Sequence, residues 1–302
     1  MDAPALSLSL FPYRLRFRAS ETIDFPAAGA SNIVRGALGI VLRKACGEEP
    51  AYSRLFAPVK IGGASGFADP PRPFVLRAAV LNGRRIERGE SFHFDLHLFE
   101  HNEQALPQLA LAFSRLAQEG LGPHRARVAL QSIELLDETG RPSQTVFANN
   151  RIEARRSGPL VLPLSGESAP ISRIQVTFAT PTELKSEGLL VSTPEFGVLF
   201  ARLRDRIAAL CDLYGSGTLP VDFRGMGERA ALVRLIDSDL EWHAQERRSS
   251  RTGQTHPLGG FTGTATYQGS LAEFLPWLRA GYWTGVGRQT VWGKGVITLA
   301  SR

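Results

Sequence analysis

The sequence predicts an α+β fold built from two successive units that share one order of elements. Segments in which apolar and polar residues alternate, as strands require, occur in both halves of the chain. Between them lie segments whose apolar residues recur at helical spacing. The chain has 302 residues, 43% of them hydrophobic, which is enough for two ordinary domains with packed cores.

In the first half, strands are predicted at 6–18, 74–81, 91–99 and 127–135, and helices at 32–46 and 103–118. Within 91–99, apolar residues alternate with His93, Asp95 and His97, and we expect the two histidines to face solvent. Residues 47–73 are rich in glycine and proline and predict a long irregular loop. The order strand, helix, strand, strand, helix, strand is that of ferredoxin-like, or RNA-recognition-like, βαββαβ domains.

The same order recurs in the second half. Strands are predicted at 173–179, 230–247, 258–267 and 290–299, and helices at 195–213 and 271–280. The fold prediction is therefore two tandem ferredoxin-like domains. The first spans 1–136, a polar connection spans 137–170, and the second spans 171–302.

The net charge is +6. Nearly all of the positive charge is arginine, because the lysines are only Lys44, Lys60, Lys185 and Lys294. Arginine forks two hydrogen bonds onto a phosphate, so this composition suits a polyanionic partner. The densest cluster is Arg247, Arg248 and Arg251, which is suited to the backbone of such a partner. A solvated basic surface is the alternative explanation.

Several classes of protein are disfavoured. The two cysteines are far apart in the sequence and form no CxxC motif, so neither a disulfide framework nor a metal site is expected. No cofactor motif is present, since GxxxxGK[ST] is absent. Neither a signal peptide nor a run of about twenty apolar residues is visible, so we expect a cytoplasmic protein without membrane contact.

The strongest local feature is the glycine segment, residues 281–295 (GYWTGVGRQTVWGKG). Glycine permits positive φ and close backbone approach, so successive N–H groups could point at phosphate oxygens. We therefore expect exposed amides that form a cradle for a polynucleotide backbone, whose contacts would be Gly285, Gly287, Arg288, Gly293, Lys294 and Gly295. A plain loop between a helix and a strand is the alternative explanation.

Residues 259–267 (GGFTGTATY), residues 274–278 (FLPWL) and the glycine segment together resemble the C-terminal end of the CRISPR repeat-processing endoribonucleases. Upstream, 178–185 (FATPTELK), 35–39 (RGALG), 73–76 (PFVL) and 89–92 (GESF) also resemble parts of that family. The resemblance is dense from about residue 258 onward and scattered elsewhere.

The resemblance implies binding of CRISPR repeat RNA and cleavage of precursor transcripts without a metal ion. In that reaction the 2′-hydroxyl attacks the adjacent phosphate and leaves a cyclic phosphate. It needs a base, an acid and positive charge on the phosphorane. His243 and His256 lie closest in sequence to the basic C-terminal segment, and we expect one of them to be the base or acid.

The first predicted helix departs from the family pattern. Many members carry a catalytic histidine or tyrosine in or just after this helix. Here the helix has neither and offers Arg35, Arg43 and Lys44, with Tyr52 and Arg54 shortly after it. Arg35 and Arg43 are expected to clamp phosphate, and Lys44 is the third candidate for catalysis. This departure favours an alternative, a non-catalytic RNA-binding subunit of a CRISPR effector complex. A ferredoxin-like enzyme with a small substrate is a further alternative, which would show no salt-dependent RNA affinity.

Overall fold

The computed structural model describes residues 6–47, 51–56, 70–153, 158–165, 169–215, 217–244, 246–248, 255–257 and 259–300. None of the helices in this part of the chain combines the length and the apolar character that a membrane span requires. The predicted loop 47–73 lies largely outside the described residues, but its residues Ala51–Phe56 form a short helix, α2.

The first half contains one complete βαββαβ unit. Its elements are β1 (Ser7–Ala19), β2 (Ile23–Asp24), α1 (Ala30–Cys46), α2, β3 (Phe74–Arg77), β4 (Arg85–Ile86), β5 (Ser91–Leu98), α3 (Ala105–Ser114), α4 (Leu116–Glu119) and β6 (Val128–Leu136). The sheet order is β3-β5-β1-β6, and these pairings are antiparallel. The alternating residues of β1 bury one face against α1 and α3, as the period of two predicted.

Residues 137–170 contain more regular structure than a plain connection. Strands β7 (Pro142–Ala148) and β8 (Arg151–Ile152) extend the first sheet beyond β6, and β9 (Leu160–Pro163) pairs with the beginning of β1. This part of the chain therefore adds strands to the first sheet before the second unit begins. The domain boundaries at 136 and 170 stay predictions.

The second half repeats the βαββαβ order. Its elements are β10 (Arg173–Thr182), β11 (Lys185–Ser186), β12 (Leu189–Leu190), α5 (Phe196–Tyr214), α6 (Phe223–Ala231), β13 (Arg234–His243), β14 (Glu246–Arg248), β15 (Thr255–Pro257), β16 (Gly260–Gln268), α7 (Leu275–Thr284) and β17 (Ile297–Ala300). The sheet order β13-β16-β10-β17 repeats the order of the first sheet. The prediction of an α+β protein with two tandem ferredoxin-like units is confirmed.

Three predicted strands are wrong in extent. The segment 230–247 begins as the end of α6, a helix whose first turn is capped by Asp222 accepting from the Gly225 amide, and it becomes a strand only at Arg234. The segment 290–299 begins with a 3₁₀ turn and becomes a strand only at Ile297, because Gly293 and Gly295 adopt positive φ. The strand predicted at 74–81 ends at Arg77, and a 3₁₀ turn follows it.

The two units share packing. One core lies between the first sheet and α1 and α3. The second core lies between the second sheet and helices α5 and α7, and it also includes Leu8, Leu10 and Val75 from the first half. His97 lies at this junction and is 1% exposed, so the expectation that it faces solvent is wrong.

Candidate functional site

The glycine segment leads from the end of α7 to β17 and packs against the rest of the chain. Val286, Thr290 and Lys294 are buried, whereas Arg288 is exposed. The expectation that the segment presents its amides to solvent along its whole length is therefore wrong. Its exposed part is short and centres on Arg288.

The glycines are required by contacts within the chain. Gly285, Gly287, Gly293 and Gly295 all have positive φ. A Cβ atom at Gly293 would collide with the Ser31 side chain, and one at Gly287 would collide with the Glu183 carbonyl oxygen. The backbone at these glycines does approach other atoms closely, as predicted, but the atoms it approaches belong to Ser31 and Glu183 of the same protein. RNA contact by these four glycines stays a prediction.

The glycine segment meets α1 and α2 at one place. The Arg35 guanidinium lies 5.1 Å from the ring centroid of Trp292 and 5.2 Å from that of Phe56 in α2. Arginine stacks readily on aromatic rings, so this contact joins α1 to the glycine segment. The first turn of α1, where Ser31 touches Gly293, lies directly beside it.

The other two cations of α1 lie farther along the helix. Arg43 packs over the Tyr52 ring at 4.4 Å, and Lys44 Nζ lies 2.5 Å from a Glu119 carboxylate oxygen in α4. Lys44 is nine residues beyond Arg35, about 13 Å along a helix axis. The structure therefore does not bring Lys44 to the junction of α1 with the glycine segment.

A second group of polar side chains surrounds Glu183, which is buried at the end of β10. The Arg288 guanidinium is 2.5 Å from the Glu183 carboxylate. Lys294 Nζ donates to the Gly259 carbonyl at 2.6 Å and to Gln289 Oε1 at 2.9 Å. Burial lowers the pKa of Lys294 to about 8, although Glu183 opposes this shift. The ammonium therefore stays mostly protonated at pH 7 but loses its proton more readily than an ordinary lysine.

His243 ends β13, next to the same group. It pairs in register with Gly260, and its Nε2 lies 2.6 Å from Thr262 Oγ1 on the neighbouring strand. The half-buried ring is 3.9 Å from the Glu241 carboxylate. Lys294 donates to the carbonyl of Gly259, and His243 pairs with the next residue, Gly260. The two side chains therefore belong to neighbouring positions of the same strand end.

The remaining predicted contacts lie on the hairpin β14–β15. Arg247 pairs in register with His256, and Arg248 pairs with Thr255. The side chains of this hairpin and the whole of Arg251 lie outside the described residues. Their roles stay predictions.

Two family models match the chain. One, described as an N-terminal domain, matches residues 8–158. The other, described as CRISPR-associated endoribonuclease Cas6, matches residues 176–297, which include His243, most of β10 and the whole glycine segment. Residues 176–297 therefore form a domain of the Cas6 family of CRISPR-associated endoribonucleases. The recognised resemblance and the assignment to CRISPR RNA processing are thereby confirmed. A search of curated proteins found no significant match.

Solved structures with the same fold include several Cas6 proteins. A Cas6 in a product complex is 17% identical with a TM-score of 0.60, covering 97% of this chain and 99% of that one. A Thermus thermophilus Cas6 is 16% identical with a TM-score of 0.58, covering 99% of this chain and 100% of that one. A chain of the partial Cas6-RT-Cas1–Cas2 complex is 15% identical with a TM-score of 0.58, and 99% of this chain covers 47% of that chain.

Sequence reasoning missed several side chains that organise this site. Glu183, which holds Arg288, lies in a segment recognised only for its resemblance, and Gln289, which holds Lys294, lies in the glycine segment but was not named as a candidate. Arg77, His97 and Arg206 meet at the end of α7 and were not singled out as a group. The one signal was the alternation in β5, which set His97 on the face opposite the apolar residues.

Proposed function

We propose that this protein binds CRISPR repeat RNA and cuts precursor transcripts into guide RNAs by 2′-hydroxyl attack, without a metal ion. The proposal depends on one observation. The glycine segment lies inside the region that matches Cas6, and it packs against the part of α1 that carries Arg35. The Cas6 product complex with the same fold supports RNA as the ligand. The free thiols of Cys46 and Cys211 suit action in a reducing cytoplasm.

The proposed RNA surface follows the arginines around that junction. Arg288 is exposed beside Glu183, and α1 carries the half-buried Arg35 and the exposed Arg43. Arg247, Arg248 and Arg251 would extend the surface along the β14–β15 hairpin. Each phosphate contact releases counterions, so affinity should fall steeply with salt.

The chemistry needs a group that takes the 2′-hydroxyl proton and a group that protonates the leaving 5′-oxygen. We assign one of these roles to His243 or His256, because imidazole changes its charge near neutral pH. Lys294, whose pKa lies at about 8, and Arg288 are proposed to place positive charge near the phosphorane. Lys44 remains a proposed participant, although its ammonium is paired with Glu119.

A second candidate function is that of a non-catalytic RNA-binding subunit. The observation that favours it is α1, which carries neither histidine nor tyrosine between Ala30 and Cys46. The Cas6-RT-Cas1–Cas2 complex with a chain of the same fold supports other CRISPR subunits as partners in either case.

The test is an incubation of the purified protein with end-labelled repeat RNA in EDTA. The proposal predicts one cut and a product that carries a 2′,3′-cyclic phosphate. Salt-dependent binding that leaves the RNA intact would support the second candidate. Cleavage that EDTA abolishes and Mg²⁺ restores would contradict the metal-independent mechanism.

A further inference from the structure

The C-terminal end of α7 is held by three side chains from three other elements, which we call the helix-end clamp. Arg77 Nη2 in β3 donates to the Tyr282 carbonyl at 2.7 Å, and His97 Nδ1 in β5 lies 2.9 Å from the Trp283 carbonyl. Arg206 Nε in α5 donates to the Thr284 carbonyl at 2.9 Å. Three consecutive carbonyls are thus each bound by a different side chain.

The clamp supplies hydrogen-bond donors that the end of any helix lacks. The last carbonyls of a helix have no partner inside the helix and carry partial negative charge. His97 is 1% exposed and Arg206 is 6% exposed, so water is largely excluded there. Buried carbonyls without these donors would lose hydrogen bonds that the interior cannot replace.

The charges of the clamp are well defined at neutral pH. Burial lowers the pKa of Arg77 to about 10 and that of Arg206 to about 9, so both remain cations. Burial lowers the pKa of His97 to about 4, and Arg77 adds to this shift. The ring is therefore neutral, and its proton lies on Nδ1, because the Trp283 carbonyl can only accept.

The clamp sits where the glycine segment begins. Thr284, whose carbonyl accepts from Arg206, is followed directly by Gly285, which has positive φ. Strand β3 also contacts the other end of the segment, where Gly293 faces the Leu76 carbonyl and the Ser31 side chain. Arg77 and Leu76 are neighbours in β3, so one strand of the first unit contacts both ends of the segment.

We propose that Arg77, His97 and Arg206 are positioning residues for RNA cleavage, which fix the start of the glycine segment so that it keeps its place against α1. This inference rests on the proposed nuclease function for its effect on rate. Its structural part, the ordering of residues 285–295, does not depend on catalysis.

The test compares His97→Leu, which removes the donor, with His97→Asn, whose amide nitrogen can replace Nδ1. His101→Leu is the matched control, because His101 is an exposed histidine just beyond the same strand. Hydrogen–deuterium exchange of residues 285–295 is measured without RNA, and single-turnover cleavage and RNA affinity are measured with repeat RNA. Arg77→Met, which keeps an apolar stem, serves as a second variant if His97→Leu does not fold.

We expect His97→Leu to accelerate exchange in the glycine segment and to slow cleavage at least about tenfold. RNA affinity should fall by less than the cleavage rate, because the clamp binds the carbonyls of residues 282–284 and Arg288 is one of several proposed RNA contacts. His97→Asn should restore both exchange and rate, and His101→Leu should match the wild type.

Unchanged exchange in His97→Leu and Arg77→Met would overturn the inference, whatever happens to cleavage. Faster exchange with an unchanged cleavage rate would overturn the positioning role in the reaction. If the wild type binds RNA without cutting it, the nuclease proposal fails, and the exchange data still decide whether the clamp orders the segment.

Discussion

At the scale of single residues, the glycines of the glycine segment are required by residues that lie close to them in space. Gly293 combines positive φ with a Cβ position that the Ser31 side chain already occupies. Gly29, directly before α1, has a similar left-handed conformation, but a Cβ atom there would meet only the Asn32 side chain, at an ordinary contact distance of 3.5 Å. Alanine substitution at these two glycines therefore separates the free-energy cost of the backbone conformation from the cost of a steric clash with Ser31.

We predict that Gly293→Ala destabilises the protein more than Gly29→Ala. Both changes carry the cost of a left-handed residue, about 1–2 kcal/mol. Gly293→Ala adds overpacking against Ser31, about 1–3 kcal/mol. Urea unfolding gives the two free energies of unfolding, and equal losses would show that contact with α1 does not select this glycine.

A second prediction concerns the acid or base. Because proton transfer contributes strongly to such reactions, His243→Ala or His256→Ala should slow cleavage by roughly 10²-fold or more. RNA affinity should persist in the variant that slows. Single-turnover rates and filter-binding affinities check this, with His101→Ala as the control. If both variants cut at the wild-type rate, neither histidine is the general acid or base.

The low pKa of His97 predicts a pH dependence of stability. The folded-state pKa of about 4 lies below the ordinary 6.5, so the unfolded chain binds this proton more readily. The contribution of His97 is therefore complete above about pH 6.5 and is lost as the pH falls towards 4, with a maximum of roughly 3 kcal/mol. The groups that face it are Arg77, Asp95 and the Trp283 carbonyl.

The measurement is the free energy of unfolding of wild type and His97→Asn between pH 4 and 7. The difference should shift in favour of His97→Asn as the pH falls, because asparagine does not titrate. Parallel pH profiles would contradict the buried, neutral state of His97.

At the scale of elements, the junction of α1, α2 and the glycine segment depends on Arg35 between two aromatic rings. If Arg35 also meets phosphate, Arg35→Met should weaken RNA binding and reduce the salt slope by about one. Methionine keeps apolar contact with the rings, so the fold should persist. Affinity measured over a salt series checks this, with exposed Arg224→Met as the control. An unchanged slope would place Arg35 in a purely packing role.

Elements with a clear period were predictable from the sequence, and contacts between them were not. β1, α1, β5 and α5 agree with the predicted segments to within two residues at each end, because each buries one periodic face. The start of β13 and the extent of β17 were missed, since a capped helix and two positive-φ glycines interrupt the apolar pattern.

The candidate site likewise consists of residues that could be predicted and contacts between them that could not. Arg35 and the glycine segment were recognised separately as candidates, but their contact through Trp292 joins positions far apart in the chain. The helix-end clamp is harder still, because Arg77 and Tyr282 are separated by 205 positions. No local period encodes such a pair.

At the scale of the whole molecule, the two ferredoxin-like units are not packed independently. Leu8, Leu10 and Val75 of the first half are buried in the core of the second. The interdomain bonds of Arg77 and His97 cross the same junction. A site assembled from α1 and the glycine segment therefore depends on both units being folded together.

We predict a single cooperative unfolding transition for the full chain. The shared core should make the calorimetric and van't Hoff enthalpies equal, as two-state unfolding requires. Residues 171–302 expressed alone should not fold stably, since their core would lose its first-half neighbours. Two resolved calorimetric transitions would show that the units are energetically separate.

The nucleophile is the centre of the proposed reaction, and a single 2′-deoxy substitution removes it. Repeat RNA with deoxyribose at the nucleotide 5′ of the cut should bind with unchanged affinity and remain intact in EDTA, while all-ribose RNA is cut in parallel. Cleavage of the deoxy RNA at the same bond and at a similar rate would contradict attack by the 2′-hydroxyl.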